Sequence, residues 1–468
     1  MLKEMARVAG VAMAGLWAIA AAAILYRRHP TAWLHSRAAG QRESSRGRTM
    51  RRLVLAAVAP LVLAAGQDPS PHYQVSGRFD LERLTLTNAV TITLPPGRAL
   101  DETFVFSRRF TIDEARVTGP ARLTIGTTDK PIANLHSLRV VGSGNGVVRL
   151  RVRYHGPITD PDDKEMGASA QRVELGADWM WVPIQDQIAL PFTLDADLRG
   201  LPAALTVVSQ GTVARRGDRL TIRRRTADID FVLLAARGLK QVSDSADVEV
   251  YARFPEDPLV RIFRKHAVGA SRYFEDLLGP MTVRPLRIVV APRNRADAYA
   301  RAAYIVIAEA ETAGKPLPDK FPERNPAKYV AHEAGHIWWL GANAQSEDNW
   351  VNESFAEYSA LRYVEAAFGI EERRAAMARF GERAAQSGAM IGHGRPKSAA
   401  VYSRGPLLLF ELEERIGRAR MDAYLRALAT EPSKTTASAL RHLSTIAGPE
   451  VAKVLEEKLR AENYTPAG

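Results

Sequence analysis

The sequence contains no cysteine, and this absence removes several kinds of chemistry at once. Without thiols there can be no disulfide bond, no cysteine-ligated zinc and no thiol nucleophile, so any metal must be held by histidine and carboxylate groups. Zinc-finger spacings and an arginine-rich recognition helix are also missing, and the net charge of +12 is spread along the 468 residues. We therefore interpret the positive charge as solvated surface and expect no nucleic-acid partner.

Long apolar runs are scarce, and two of them lie near the N-terminus. Val8–Tyr26 is long enough to span a bilayer. Met50-Arg51-Arg52 precedes a shorter apolar run, 53–65, that ends in small residues, as secretory signal peptides do. Three interpretations stay open: Met50 is the true start; 8–26 is a span and 53–65 returns the chain outward; or 8–26 is the sole anchor and the rest stays inside. The first two predict a periplasmic or secreted protein of the cell envelope, with membrane association through the N-terminus left open.

In the rest of the chain, the pattern of apolar and polar residues changes near residue 245. In 72–244, short runs rich in valine, threonine and isoleucine alternate with polar residues and turn signals, which predicts an antiparallel β domain. In 245–468, apolar residues at helical spacing predict a helix over 259–278, Leu286–Ala291 and Tyr304–Ala308 read as buried strands, and helical patterns dominate after residue 326. We therefore predict a multidomain α+β protein, preceded over 1–71 by an anchor or signal peptide with a basic linker.

The segment His332-Glu333-Ala334-Gly335-His336 is an H-E-x-x-H motif. On a helix, residues four apart lie on one face, so both imidazoles can bind one zinc ion. The glutamate between them lies close to the metal without binding it, and it can move a proton from the attacking water to the leaving amine. The motif predicts one Zn²⁺ per chain, with Glu333 as general base.

A zinc site of this kind needs a third protein ligand. Glu347, Glu353 and Glu357 follow the motif closely. Glu353 begins a second helical pattern about 17 residues after His336, where an antiparallel helix pair can return its carboxylate to the metal. We therefore predict Glu353 as the ligand, and Glu357, one turn later, either behind the ligands or in a salt bridge.

These segments resemble the M1 aminopeptidase family of gluzincins. His332–Trp339 and Asn349–Tyr358 are similar to the family's H-E-x-x-H and W-L-N-E-G-F-A segments, and Val401–Phe410 is similar to its Y-x-K-G helix. The resemblance covers roughly residues 250–415 and implies a β-rich N-terminal domain followed by a thermolysin-like α/β zinc peptidase domain with a short helical tail. It also implies that Tyr402 donates a hydrogen bond to the oxyanion formed during peptide hydrolysis.

The sequence departs from the family pattern in ways that bear on substrate. The loop before Glu353 is slightly shorter than usual, and the G-x-M-E-N segment that binds a substrate's free amine is absent. In its place, Tyr304–Ala308 is predicted as an edge strand for an extended peptide, with Glu309 as a candidate amine anchor. The chain also ends about 65 residues after Tyr402, which implies a more open site without the family's large C-terminal domain.

The sequence is consistent with three functions. The first is a zinc metallopeptidase that acts on a peptide or protein substrate as an aminopeptidase. The second is an endopeptidase or a processing enzyme of narrow specificity. The third is a catalytically degenerate homologue that serves as an envelope binding or scaffold protein. Side-chain preference and oligomeric state are not determined by the sequence.

Overall fold

The computed structural model describes residues 70–97, 99–130, 133–159, 167–186, 191–242, 245–293, 298–309, 323–385 and 387–464. The predicted N-terminal span and signal pattern lie outside these residues. Within them, no helix has the length and apolar character needed to cross a membrane.

The first part of the described chain is built from strands alone, apart from one 3-10 turn. Its strands are β1 His72–Asp80, β2 Thr85–Leu94, β3 Leu100–Ser107, β4 Thr111–Thr118, β5 Ala121–Lys130, β6 Ala133–Gly142, β7 Val148–Pro157, β8 Gly167–Ser169, β9 Arg172–Leu175, β10 Ile184–Gln185, β11 Phe192–Arg199, β12 Leu205–Ser209, β13 Thr212–Arg216, β14 Arg219–Asp228 and β15 Leu233–Arg237. They form a seven-stranded sheet (β13-β14-β11-β1-β2-β7-β4) and two four-stranded sheets (β10-β3-β6-β5 and β12-β15-β9-β8).

The alternation of buried apolar residues with outward-facing polar residues explains why these segments are strands. In β7, Val148, Leu150 and Val152 are buried, and the arginines between them point away from the core. The sheets are antiparallel, as the sequence predicts, with one exception: β1 pairs with β11 in parallel. The seven-stranded sheet is therefore mixed.

A fourth sheet, of five strands, begins the α/β part. Its strands are β16 Lys240–Gln241, β17 Val248–Ala252, β18 Leu286–Ala291, β19 Ala298–Arg301 and β20 Tyr304–Ala308, in the order β16-β17-β18-β20-β19. Strands β17, β18 and β20 are parallel, whereas β19 runs antiparallel to β20 at the edge. Helix α1 (Pro258–Leu278) connects β17 to β18. It begins where the Asp257 side chain caps the Leu259 N–H and ends at Gly279, whose φ is +107°.

The remaining helices form one core with α1 and one face of this sheet. They are α2 Arg324–Trp339, α3 Asn349–Phe368, α4 Ile370–Ala384, α5 Gly405–Ile416, α6 Arg418–Ala429, α7 Thr436–Ala447 and α8 Pro449–Arg460, with a π-helical turn at Ala400–Arg404 before α5.

The other face of the five-stranded sheet packs against the β domain. Val289, Tyr304 and Val306 share a buried cluster with Val208 and Leu234 of β12 and β15. The β domain thus packs against β18 and β20, and β19, which pairs with β20 at the edge of the sheet, contacts α2.

Candidate active site

Helix α2 holds the H-E-x-x-H motif in the protein interior. His332, Glu333 and His336 are each less than 10% exposed, and the two imidazole rings are 4.8 Å apart at right angles. Gly335 lies on the side that faces α3, where a Cβ would lie 3.4 Å from the Ala356 backbone. This separation is ordinary van der Waals contact, so Gly335 lies on the face of α2 that packs against α3.

Helix α3 brings the carboxylate of Glu353 to the same point. Glu353 Oε2 lies 3.5 Å from Nε2 of both His332 and His336. These contacts are too long for ordinary hydrogen bonds, and this buried oxygen makes none within the described residues. Two nitrogens and one carboxylate oxygen, all within 4.8 Å of one another, form the donor set that zinc prefers. The residues present therefore fit a zinc ion.

The other nitrogen of each histidine is already engaged. His332 Nδ1 lies 2.9 Å from Glu357 Oε2, and His336 Nδ1 lies 3.0 Å from Asn352 Oδ1. Glu357 in turn contacts the ammonium group of Lys328. Because Nδ1 donates to an acceptor, Nε2 is left free to face the common point, which is the usual arrangement behind metal-binding histidines.

The charges around this point favour a cation. Burial favours the neutral imidazole of His332, yet the nearby carboxylates of Glu353 and Glu357 raise its pKa to about 10. For Glu357, burial is outweighed by Lys328 and His332, which lower its pKa to about 2. Glu333 differs, because burial raises its pKa to about 7 and His332 only limits the rise. A carboxyl group whose pKa lies near neutral pH can both accept a proton and return it.

Tyr402 lies on the π-helical turn in front of the histidines. Its ring centroid is 5.8 Å from that of His332. Burial and the Glu353 carboxylate raise its pKa, so the phenol is a neutral O–H donor at physiological pH. We call α2, α3 and this turn the helical side of the site.

The strand side of the site, formed by β19, β20 and the residues that flank them, differs from the prediction. Strand β20 is internal and not an edge strand, since β19 covers it. The Tyr304 side chain is fully buried, and its hydroxyl donates to the Val208 carbonyl in the β domain. Glu309 lies at the end of β20, where its carboxylate is held by the Arg253 guanidinium. The edge that a peptide could pair with is therefore β19.

No protein-family model matches the chain, but solved structures do. An M1 zinc metallopeptidase from Deinococcus radiodurans, a mutant bound to the substrate Tyr-Ser-Ala, is 19% identical over 85% of this chain and 96% of its own, with a TM-score of 0.63. Native yeast LTA4 hydrolase is 16% identical over 85% of this chain and 68% of its own, with a TM-score of 0.66. The chain has the fold of the M1 zinc metallopeptidases. At these identities the likeness concerns the fold.

Within this M1 fold, sequence reasoning missed Arg301. It ends β19 and is partly buried against the β domain, where its Nε donates to Asp230 Oδ2 at 2.7 Å. It lies close enough to Glu333 to oppose the rise in the pKa of that carboxyl. A charged residue at the end of an alternating strand gives only a weak signal, because nothing in the sequence shows that Asp230 is its partner.

Proposed function

We propose that this chain is a zinc metallopeptidase that hydrolyses peptide bonds in the manner of the M1 aminopeptidases. The observation that carries the proposal is the meeting of His332 Nε2, His336 Nε2 and Glu353 Oε2 at one point, beside the buried carboxyl of Glu333 and in front of Tyr402. The M1 fold supports it, and so does the tripeptide in the Deinococcus radiodurans structure, which favours peptide substrates here as well.

In this proposal each side chain has one task. His332, His336 and Glu353 would hold the zinc ion, which when bound supplies the Lewis acid that polarises a carbonyl and acidifies water. Glu333 takes a proton from the attacking water and gives it to the leaving amine. Tyr402 donates its O–H to the oxygen on which negative charge develops. Glu357 and Asn352 fix the two imidazole rings.

Two substitutions test this assignment. Glu333→Gln keeps the shape of the side chain but cannot accept a proton, so we expect kcat to fall by about 10²–10⁴ while zinc stays bound. Glu353→Ala removes a ligand, so we expect zinc to be lost. Zinc is measured by elemental analysis of the purified protein, and hydrolysis is measured with a series of short peptides.

Glu365→Gln is the matched control. Glu365 lies on α3 like Glu353 but pairs with Arg373 and Arg418, so zinc and kcat should stay near wild type. Full activity in Glu333→Gln would falsify the proposed mechanism. A zinc-free, inactive wild type would favour a scaffold role.

An alternative within the same class rests on Glu309. Its carboxylate is bound by Arg253 and is not free to bind a substrate's amine, which favours an endopeptidase or a processing enzyme. Cleavage of N-acetylated peptides as fast as the free-amine forms would decide for this alternative.

The N-terminal pattern also supports a proposed location in the cell envelope, periplasmic or secreted and with the membrane anchor left open. N-terminal sequencing of the mature protein tests it, since a start near residue 66 requires cleavage after the second apolar run, and an intact Met1 contradicts such cleavage.

A further inference from the structure

In the turn that carries Tyr402, the regular helical N–H donors for one backbone carbonyl, that of Val401, are not available. In the π-helical turn Ala400–Arg404, the Gly405 N–H donates five residues back, to the Ala400 carbonyl. The Val401 carbonyl would need an N–H from residue 405 in an α-helix or from residue 406 in a π-helix. The first is taken, and Pro406 has no N–H.

Ser354 supplies the missing donor. Its hydroxyl donates to the Val401 carbonyl at 2.8 Å, and the side chain is fully buried. The fit is close, because a Cβ on Gly405 would lie 2.0 Å from Ser354 Oγ. Glycine at 405 is therefore needed for the serine to reach the turn.

The two ends of this contact are both parts of the site. Ser354 directly follows the ligand Glu353 on α3, and Val401 directly precedes Tyr402. The Tyr402 side chain is 40% exposed, so packing alone does not fix the ring. The position of its hydroxyl therefore depends on the backbone of the turn as well as on the interaction of the hydroxyl with Glu353.

We propose that Ser354 is a positioning residue that fixes the hydroxyl of Tyr402 relative to Glu353 through the Val401 carbonyl. This inference rests on the proposed function, because it assigns Ser354 to the same reaction. Ser354 itself does not touch substrate.

The far end of the turn is held independently. Arg404 is buried, and its guanidinium donates to the Gly388 carbonyl at 2.7 Å and to the carbonyl of Lys458 at the end of α8. Loss of the Ser354 hydroxyl should therefore leave the turn folded but attached at one end only. The expected result is a displaced Tyr402 in a stable protein.

Ser354→Ala is the test, with Ser359→Ala as the matched control. Ser359 is a fully buried serine on the same helix, and its hydroxyl accepts from Trp339 Nε1 at 3.0 Å. We expect Ser354→Ala to lower kcat about tenfold, with KM and zinc content within about twofold of wild type, since small misplacements of catalytic groups cost rate. Ser359→Ala should change thermal stability without changing kcat.

A double-mutant cycle shows whether Ser354 acts through the tyrosine. In a Tyr402→Phe background, Ser354→Ala should change kcat by less than about twofold, because residues that act as a unit are not additive. An equal loss of kcat in both backgrounds overturns the proposal. So does a Ser354→Ala enzyme with wild-type kcat.

Hydrogen exchange separates this inference from the proposed function. Ser354→Ala should speed amide exchange in residues 400–405, whereas Ser359→Ala should not. If the wild type shows no Glu333-dependent hydrolysis, the proposed function fails, and the exchange rates still report on the contact. Unchanged exchange in residues 400–405 overturns the positioning role whether or not the protein is active.

Discussion

The carboxylates on the two sides of the site have different kinds of partner. On the helical side, Glu353 turns a buried oxygen toward two imidazoles without a hydrogen bond from the described residues, and Glu333 is buried with a raised pKa. On the strand side, Glu309 is paired with Arg253 and Asp230 with Arg301. Glu357 of the helical side pairs with Lys328, but Glu353 faces the two imidazoles, whereas the acids of the strand side are neutralised by arginine.

Under the proposed function, this difference places the chemistry on the helices and gives the strands a structural role. An incompletely satisfied buried carboxylate is costly unless a ligand completes it, so the helical side is built for a cation. The Arg301–Asp230 pair joins the α/β sheet to the β domain, whereas the Arg253–Glu309 pair links the ends of two strands within the α/β sheet. The comparison fails if replacing an acid by its amide has the same effect on both sides of the site.

The largest effect is expected on the helical side, from Glu357→Gln. The amide can still accept from His332 Nδ1 but loses its charge and its ion pair with Lys328. Outer-shell changes of this kind usually cost 10- to 100-fold in metal affinity, and we expect that loss here. Competition with a fluorescent zinc chelator measures it. Glu365→Gln serves as the control, and equal affinities in the two variants would contradict the outer-shell role.

The helical side was predictable because its signals are local. H-E-x-x-H needs only helical spacing to bring His332 and His336 together, and Glu353 needs only an antiparallel return. The helix predicted over 259–278 is present as α1, and the predicted strands at 286–291 and 304–308 are β18 and β20. The π-helical turn that carries Tyr402 has one indication in the sequence. This is Pro406, which lacks the N–H that a regular helix would use.

The strand side was not predictable because its signals are long-range or missing. The edge assignment of Tyr304–Ala308 was wrong because the β19–β20 hairpin turns at Ala302-Ala303, and Ala303 has a φ of +52°. Such a turn normally carries glycine or asparagine, so alanine gave no sign of it. Arg253 and Glu309 are 56 residues apart, and no local pattern pairs them.

A moderate effect on stability is expected from Asp228, at the end of β14. Burial raises its pKa to about 6, and Arg224 only limits the rise. Because the folded state holds this proton more tightly than the unfolded state, stability should fall as pH rises from about 4 to 6, by about 3 kcal/mol at most. Urea unfolding across this range measures the slope.

Asp228→Asn should remove this part of the slope, because an amide does not titrate. Asp197→Asn is the control, since Asp197 lies on the partly exposed face of the seven-stranded sheet and pairs with Arg219. The same slope in wild type and Asp228→Asn would mean that Asp228 is charged in the folded protein at all these pH values.

The smallest effect, close to none, is expected from Glu309→Gln. If Arg253 fully engages Glu309, the carboxylate contributes little to substrate binding, and the ratio of kcat/KM for free-amine and N-acetylated peptides should change by less than about twofold. A tenfold or greater fall in that ratio would show that Glu309 binds the substrate's amine despite Arg253. The strand side would then take part in recognition, and the division between a chemical and a structural side would be lost. Arg253→Met separates the two cases further, because freeing Glu309 should raise the preference for a free amine only if its carboxylate can reach the substrate.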